Sequence, residues 1–214
     1  MIGPDLSALS ELWRHYRTCR RNKRNTRSAI SFEFALEGNL LALQAELRGR
    51  SYRPGPSICF LTEGPKPREV FAADFRDRIV HHLLVSHQER VFEPGFIHDS
   101  YACRRGKGTL AASTRAMQFL RQATENGQCG AWVMTLDVAS FVPSVHKPTL
   151  FEILTRRVRH PALVWLTQVL LFHDPTEDYQ FQTKGKRVPP PRTPGYPISP
   201  QRSLFASADP GVIR

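Results

Sequence analysis

The sequence predicts an α+β domain, with helices packed on a small antiparallel sheet, and three observations carry that expectation. Leu36, Leu40, Leu43 and Leu47 recur at intervals of four, three and four, which is one face of a helix. The apolar runs SICFLTE and REVFAA flank GPKP and read as a hairpin with a proline-rich turn. From Asp74 the period is helical again through Ile79, Val80, Leu83, Leu84, His87 and Val91, until Pro94-Gly95 closes it.

Taken in order, the chain begins with a helix that places Leu6, Leu9, Leu12 and Trp13 near helical spacing. It runs into RHYRTCRRNKRNTR, seven Lys or Arg in fourteen residues, either a solvated helix end or a phosphate-binding arm. Residues 1–30 are thus a basic helical arm. The leucine stripe that follows is core, ends at Gly49, and is broken off by SYRPGP. His81 and His82 are adjacent on the helix after the hairpin, so they cannot face one ligand and read as ordinary polar or core histidines.

SYACRRGKGTLAA leads into a further helix through Met117 and Leu120, and ENGQCG turns the chain into the apolar run Ala131 to Leu136. That run has the length of a strand. Two helices follow, around PTLFEILTRRV and PALVWLTQVLLF, and after Asp174 prolines at 189, 190, 191, 194, 197, 200 and 210 interrupt a stretch without periodicity. Residues 186–214 are therefore expected to be loop or disorder rather than a second domain.

Thirty Lys and Arg against nineteen Asp and Glu give a formal net charge of +11, which points to a polyanionic partner, nucleic acid before membrane. Cys19, Cys59, Cys103 and Cys129 lie far apart, with neither a Cys-x-x-Cys pair nor a zinc spacing, and read as reduced thiols of a cytoplasmic protein. No apolar run reaches the ~20 residues of a membrane span, and the first residues lack the order of a signal peptide.

VMTLDVASFVPS puts Asp137 at the end of the expected strand, just before a turn. A carboxylate there suits a divalent cation at the rim of a sheet, a phospho-acceptor of the receiver-domain kind, or a plain cap on the turn. Upstream, SYACRRGKGT gathers Arg104, Arg105 and Lys107 around Gly106 and Gly108, so cationic side chains and open backbone amides stand together where a phosphate chain could be gripped. The spacing is not that of a Walker loop. An acidic strand end and a basic glycine loop are the two halves of a nucleoside-triphosphate site.

In order, PKPREVFAADFRDRIVHHLL, FEPGFIHDSYACRRGKGTLAA and WVMTLDVASFVPSVHKPTLFEIL resemble the first consecutive motifs of bacterial reverse transcriptases, the group of intron, retron, diversity-generating and defence-associated enzymes. The resemblance runs from about residue 40 to about residue 190. It implies the fingers and partial palm of a right-hand polymerase, with a fingers-like region over 31–130 and a partial palm over 131–185. Arg68, Arg104, Arg105 and Lys107 match basic positions that would contact template or incoming nucleotide. Asp137 matches the first palm aspartate, which with the backbone carbonyl of Val138 would hold magnesium. Tyr101 and Phe141 match positions that shape the pocket. Val142 stands where relatives carry a bulky aromatic that reads the sugar, and His146 where an acid is common. The implied partners are an RNA template, a DNA primer and deoxynucleoside triphosphates.

Two metals held about 3.5–4 Å apart need several carboxylates to neutralise them. In the family the others are a Tyr-x-Asp-Asp sequence on a later palm hairpin. After Asp137 this sequence offers Glu152, Asp174, Glu177, Asp178 and Asp209, and nowhere two adjacent aspartates. The expectation is a chain cut short by a frameshift, an early stop or a split gene, inactive alone, with the rest of the palm supplied by a separate chain if at all. The alternative is a non-catalytic nucleic-acid-binding remnant that uses its basic surface.

Overall fold

A computed structural model of the chain describes residues 5–21, 23, 25–62, 68–138 and 141–181, with the side chains of Arg68, Val142 and Pro143 also outside the description. The GPKP turn and the proline-rich tail lie outside the described residues. The helices are α1 (Leu9–Arg20), α2 (Arg27–Phe34), α3 (Leu36–Arg48), α4 (Phe75–Phe92), α5 (Thr109–Ala123), α6 (Phe141–Ser144), α7 (Lys147–Arg157) and α8 (Pro161–Phe172). The strands are β1 (Ser57–Thr62), β2 (Arg68–Ala72) and β3 (Tyr179–Phe181), and a 3-10 turn, Glu93–Gly95, follows α4. The fold is α+β.

The core gathers around α4. Its buried face, Phe75, Ile79, Val80, Leu83 and Leu84, meets Leu12, Tyr16 and Cys19 of α1, the α3 stripe Leu40, Leu43 and Leu47, and Leu163, Leu166 and Leu170 of α8. Tyr16, Phe32 and Phe75 form an aromatic knot, with Tyr16 edge-on to Phe75 at 6.1 Å and Phe32 5.6 Å from Phe75. The first helix is thus a core element on one face. Part of its charge is neutralised locally, by Arg14 on Glu11 and Arg20 on Glu33, while Arg17 and Arg21 face solvent.

Local signals set the helix ends. The Thr26 hydroxyl accepts from Ala29 N at the start of α2. Asp74 caps α4 by accepting from Arg76 N at 3.0 Å, and its other oxygen accepts from the Ser28 hydroxyl, which itself accepts from Phe75 N. One residue of α2 thereby fixes where α4 begins.

The hairpin forms as the sequence predicts: β1 and β2 are antiparallel, with Cys59 opposite Phe71. The sheet as a whole corrects the expectation of an antiparallel one. β3 joins the other edge of β1 in parallel, Ser57 opposite Tyr179, giving the order β2-β1-β3 in a mixed sheet. The long crossover through α4 to α8 returns the chain in the direction of β1, which a hairpin cannot do.

The strand expected at Ala131 to Leu136 is also corrected. Residues 130–138 have no regular secondary structure, and no described strand pairs with them. A strand needs a partner for its alternate N–H and C=O groups, and none of the described residues supplies one there. The apolar side chains stay in solvent: Trp132 is fully exposed, Leu136 80% and Val138 63%. Helix α5 likewise buries no residue.

Burial in the core holds several histidines neutral. It pushes the imidazoles of His15 and His81 from 6.5 down to about 4, and lowers those of His82, His87 and His173. Below pH 6.5 the unfolded chain takes up protons that the folded chain refuses. Stability is therefore expected to fall as the pH drops from 6.5 to 4, read as a declining urea midpoint. Asp77, whose pKa burial raises, works in the opposite sense at the acid end, because the folded state then protonates first.

Candidate functional site

The basic loop lies between the 3-10 turn and α5. Gly106 and Gly108 have φ of 68° and 115°, left-handed values that glycine adopts without steric cost, so the loop reverses at both. Arg104 is the organiser of this loop. Its Nε donates to Glu93 Oε1 at 2.8 Å, its Nη1 donates to the carbonyls of Ile97 and Ser100 at 2.9 Å each, and the guanidinium lies 5.4 Å from the Phe96 ring centre. Only 10% of its side chain is exposed. Lys107 is similarly engaged, donating to the His98 carbonyl and lying 5.0 Å from the centre of the Tyr101 ring.

Asp99 ties the loop to α5. It accepts from Arg115 Nε and from the Tyr101 hydroxyl, both at 3.0 Å, and meets His98 Nδ1 at 3.2 Å, and these contacts, Arg115 first and His98 next, hold its carboxyl down at about 2. Arg115 in turn stacks on Phe119 at 4.5 Å. Of the three cations expected to meet a phosphate, Arg105 is exposed and makes no hydrogen bond or ion pair with the described residues. The geometry therefore separates two tasks that the sequence lumps together: Arg104 and Lys107 shape the loop, and Arg105 presents charge to solvent.

Arg104→Ala removes three acceptors' shared donor at once. The expected cost is about 1.5–3 kcal/mol of local stability, seen as faster hydrogen exchange and proteolysis over residues 96–108, with the urea midpoint of the whole chain little changed because the loop lies outside the core. Arg104→Lys is expected to rescue little, since an ammonium cannot fork between Glu93 and two carbonyls.

Asp137 is exposed at the end of the irregular segment and makes no hydrogen bond or ion pair with the described residues. Phe141, at the start of α6, is also exposed. Val138 offers its carbonyl from the same segment, while the side chains of Arg68 and Val142 lie outside the described residues. No hydrogen bond or ion pair joins Asp137 to Arg104, Arg105 or Lys107. Among the described residues no three His, Cys, Asp or Glu side chains gather as a metal site. Asp137 and one carbonyl do not by themselves fit a two-metal centre.

Elsewhere, Arg90, Arg157 and Arg159 line a cleft between α4 and the turn joining α7 to α8. The run RRVRH, residues 156–160, is the signal in the sequence that points to it. Cys19 and Cys59 are buried and Cys103 and Cys129 exposed, all four as free thiols. No helix of the described residues is long and apolar enough to cross a membrane. Comparison with known protein families and with curated proteins finds no match.

Proposed function

We propose that this chain is the fingers and first palm segment of an RNA-directed DNA polymerase of the bacterial reverse-transcriptase kind. In this reading Asp137 is one carboxylate of a two-magnesium centre, and the remaining carboxylates come from polypeptide beyond this sequence. The observation that carries the reading is the segment 130–138: an apolar run with strand composition, without a pairing strand among the described residues, its side chains in solvent, ending on an aspartate that no described residue partners. A palm hairpin added alongside would pair that backbone, cover Trp132, Met134 and Leu136, and bring acids next to Asp137.

Magnesium supplies charge neutralisation at the attacking and leaving oxygens. The chain's own residues would contribute the Asp137 carboxylate, the Val138 carbonyl, and cationic loop residues, with Arg105 directed at the nucleotide and Arg104 positioning the loop. The three ordered motifs support the family, and the net charge of +11 supports a nucleic-acid partner.

The test is to read the encoding DNA in all three frames beyond the codons for Ser203-Leu204-Phe205. A frame encoding a Gly-Pro segment and a Tyr-x-Asp-Asp is expected. If no frame carries them, the catalytic reading loses its second half, and binding without chemistry becomes the better account.

A further inference from the structure

We infer that the cleft between the C-terminal half of α4 and the α7–α8 turn is a phosphate site that takes the phosphodiester backbone of a nucleic-acid strand. Its walls are His87 and Arg90 from α4, Arg157 from the end of α7, and Arg159 and His160 from the turn, and no carboxylate lines it. None of the three arginines forms an ion pair with a described residue; Arg157 rests over the Phe92 ring at 5.9 Å. Three guanidinium groups facing one space repel each other, and an anion between them removes that cost.

His160 gives the second, independent observation. His87 is 7% exposed, and its Nε2 faces Glu11 Oε2 at 3.6 Å, so this ring is turned to a carboxylate and forms the cleft wall without offering a ligand position. His160 Nδ1, by contrast, is buried and has no hydrogen-bond partner among the described residues. Buried polar atoms are nearly always hydrogen-bonded, so this orphaned ring nitrogen in a basic cleft marks a position for a ligand oxygen. His160 is also the N-cap residue of α8, where no side chain caps the first-turn amides, so the helix adds its positive end to the same space.

Size and lining favour a strand over a small anion. The cleft has a volume of about 490 Å³ and is open to solvent, so it is far larger than one phosphate needs. No phenyl or indole ring lines it, so a base finds no stacking platform there. What remains is sequence-independent grip on a backbone. This inference stands apart from the polymerase reading, since a chain of any activity could hold a strand this way.

Fluorescence anisotropy of the full chain with a labelled single-stranded RNA 20-mer tests it. Arg90→Ala with Arg159→Ala, both exposed arginines, is expected to raise Kd about tenfold and to flatten the log–log salt slope by about 1.4, two phosphates' worth on a single strand. Arg48→Ala with Arg121→Ala, an equal charge loss at two exposed arginines outside the cleft, is expected to change Kd less than about threefold. Equal effects of the two pairs, or no RNA binding by the unaltered chain, overturn the inference. So does displacement of the RNA by orthophosphate at matched phosphate concentration, which indicates a small-anion site. Hydrogen exchange on the unaltered chain gives an answer free of folding effects: RNA is expected to slow the amides of Ala162 and Leu163, and unchanged exchange there overturns the site. None of these outcomes bears on primer extension, which tests the polymerase reading.

Discussion

Asp77→Ala is expected to lower the unfolding free energy by about 3–5 kcal/mol, the cost of breaking a buried, hydrogen-bonded charge pair from one side. Asp77 is 1% exposed and both its oxygens are in use. Oδ1 accepts from the Tyr52 hydroxyl at 2.7 Å and from Arg76 Nη1 at 3.0 Å, and Oδ2 accepts from Gly55 N at 2.8 Å. Arg76 also reaches Glu46 of α3 and the Arg53 carbonyl, and lies 5.0 Å from the Tyr52 ring centre. The group latches the connection from α3 to β1 onto the first turn of α4. Alanine leaves a fully buried Tyr52 hydroxyl and the Gly55 amide without their acceptor and takes from Arg76 one of its two carboxylate partners. Since domains are stable by only about 5–15 kcal/mol, the variant is expected to sit near the edge of folding. Asp77→Asn keeps the shape and an acceptor, and is expected to fall between the two in urea unfolding. A midpoint for Asp77→Ala within experimental error of the original would contradict the latch.

Asp137→Ala is expected to do the opposite: nothing to stability and everything to chemistry. The side chain is exposed and has no partner among the described residues, so its removal is expected to shift the unfolding free energy by less than about 0.5 kcal/mol. In a polymerase completed by a palm hairpin, the same substitution is expected to cut primer extension by at least about a thousandfold, roughly 4 kcal/mol of barrier. The contrast between unchanged melting and lost extension distinguishes a metal-holding carboxylate from one that caps a turn. Partial activity with lowered stability would assign Asp137 to the cap.

The helices were the most legible part of the sequence, because their apolar spacing answers to a core that this chain contains. The α3 leucines and the α4 stripe through Leu84 are buried as the period demands, and Gly49 and Pro94 close them where expected. The hairpin was legible for the same reason, its two runs being each other's partner. The parallel return of β3 was not, since three residues of Tyr-Gln-Phe carry no period and the pairing depends on a crossover of many residues. The run at Ala131 was misread in the other direction: its composition describes a strand, and strand formation depends on a neighbour that composition cannot supply. At the basic loop the residue types were legible but their tasks were not, because Arg104 is defined by Glu93 and two carbonyls rather than by its neighbours in sequence. Arg90 and the RRVRH turn meet only in three dimensions.

RNA-templated primer extension with magnesium, run on the chain alone and on the chain joined to a palm hairpin bearing Tyr-x-Asp-Asp, tests the central claim most directly. The account predicts no extension by the chain alone, and extension by the joined protein that disappears with Asp137→Ala. Extension by the chain alone would contradict it, as would a joined protein that binds primer and template yet never extends, or one whose extension survives the loss of Asp137.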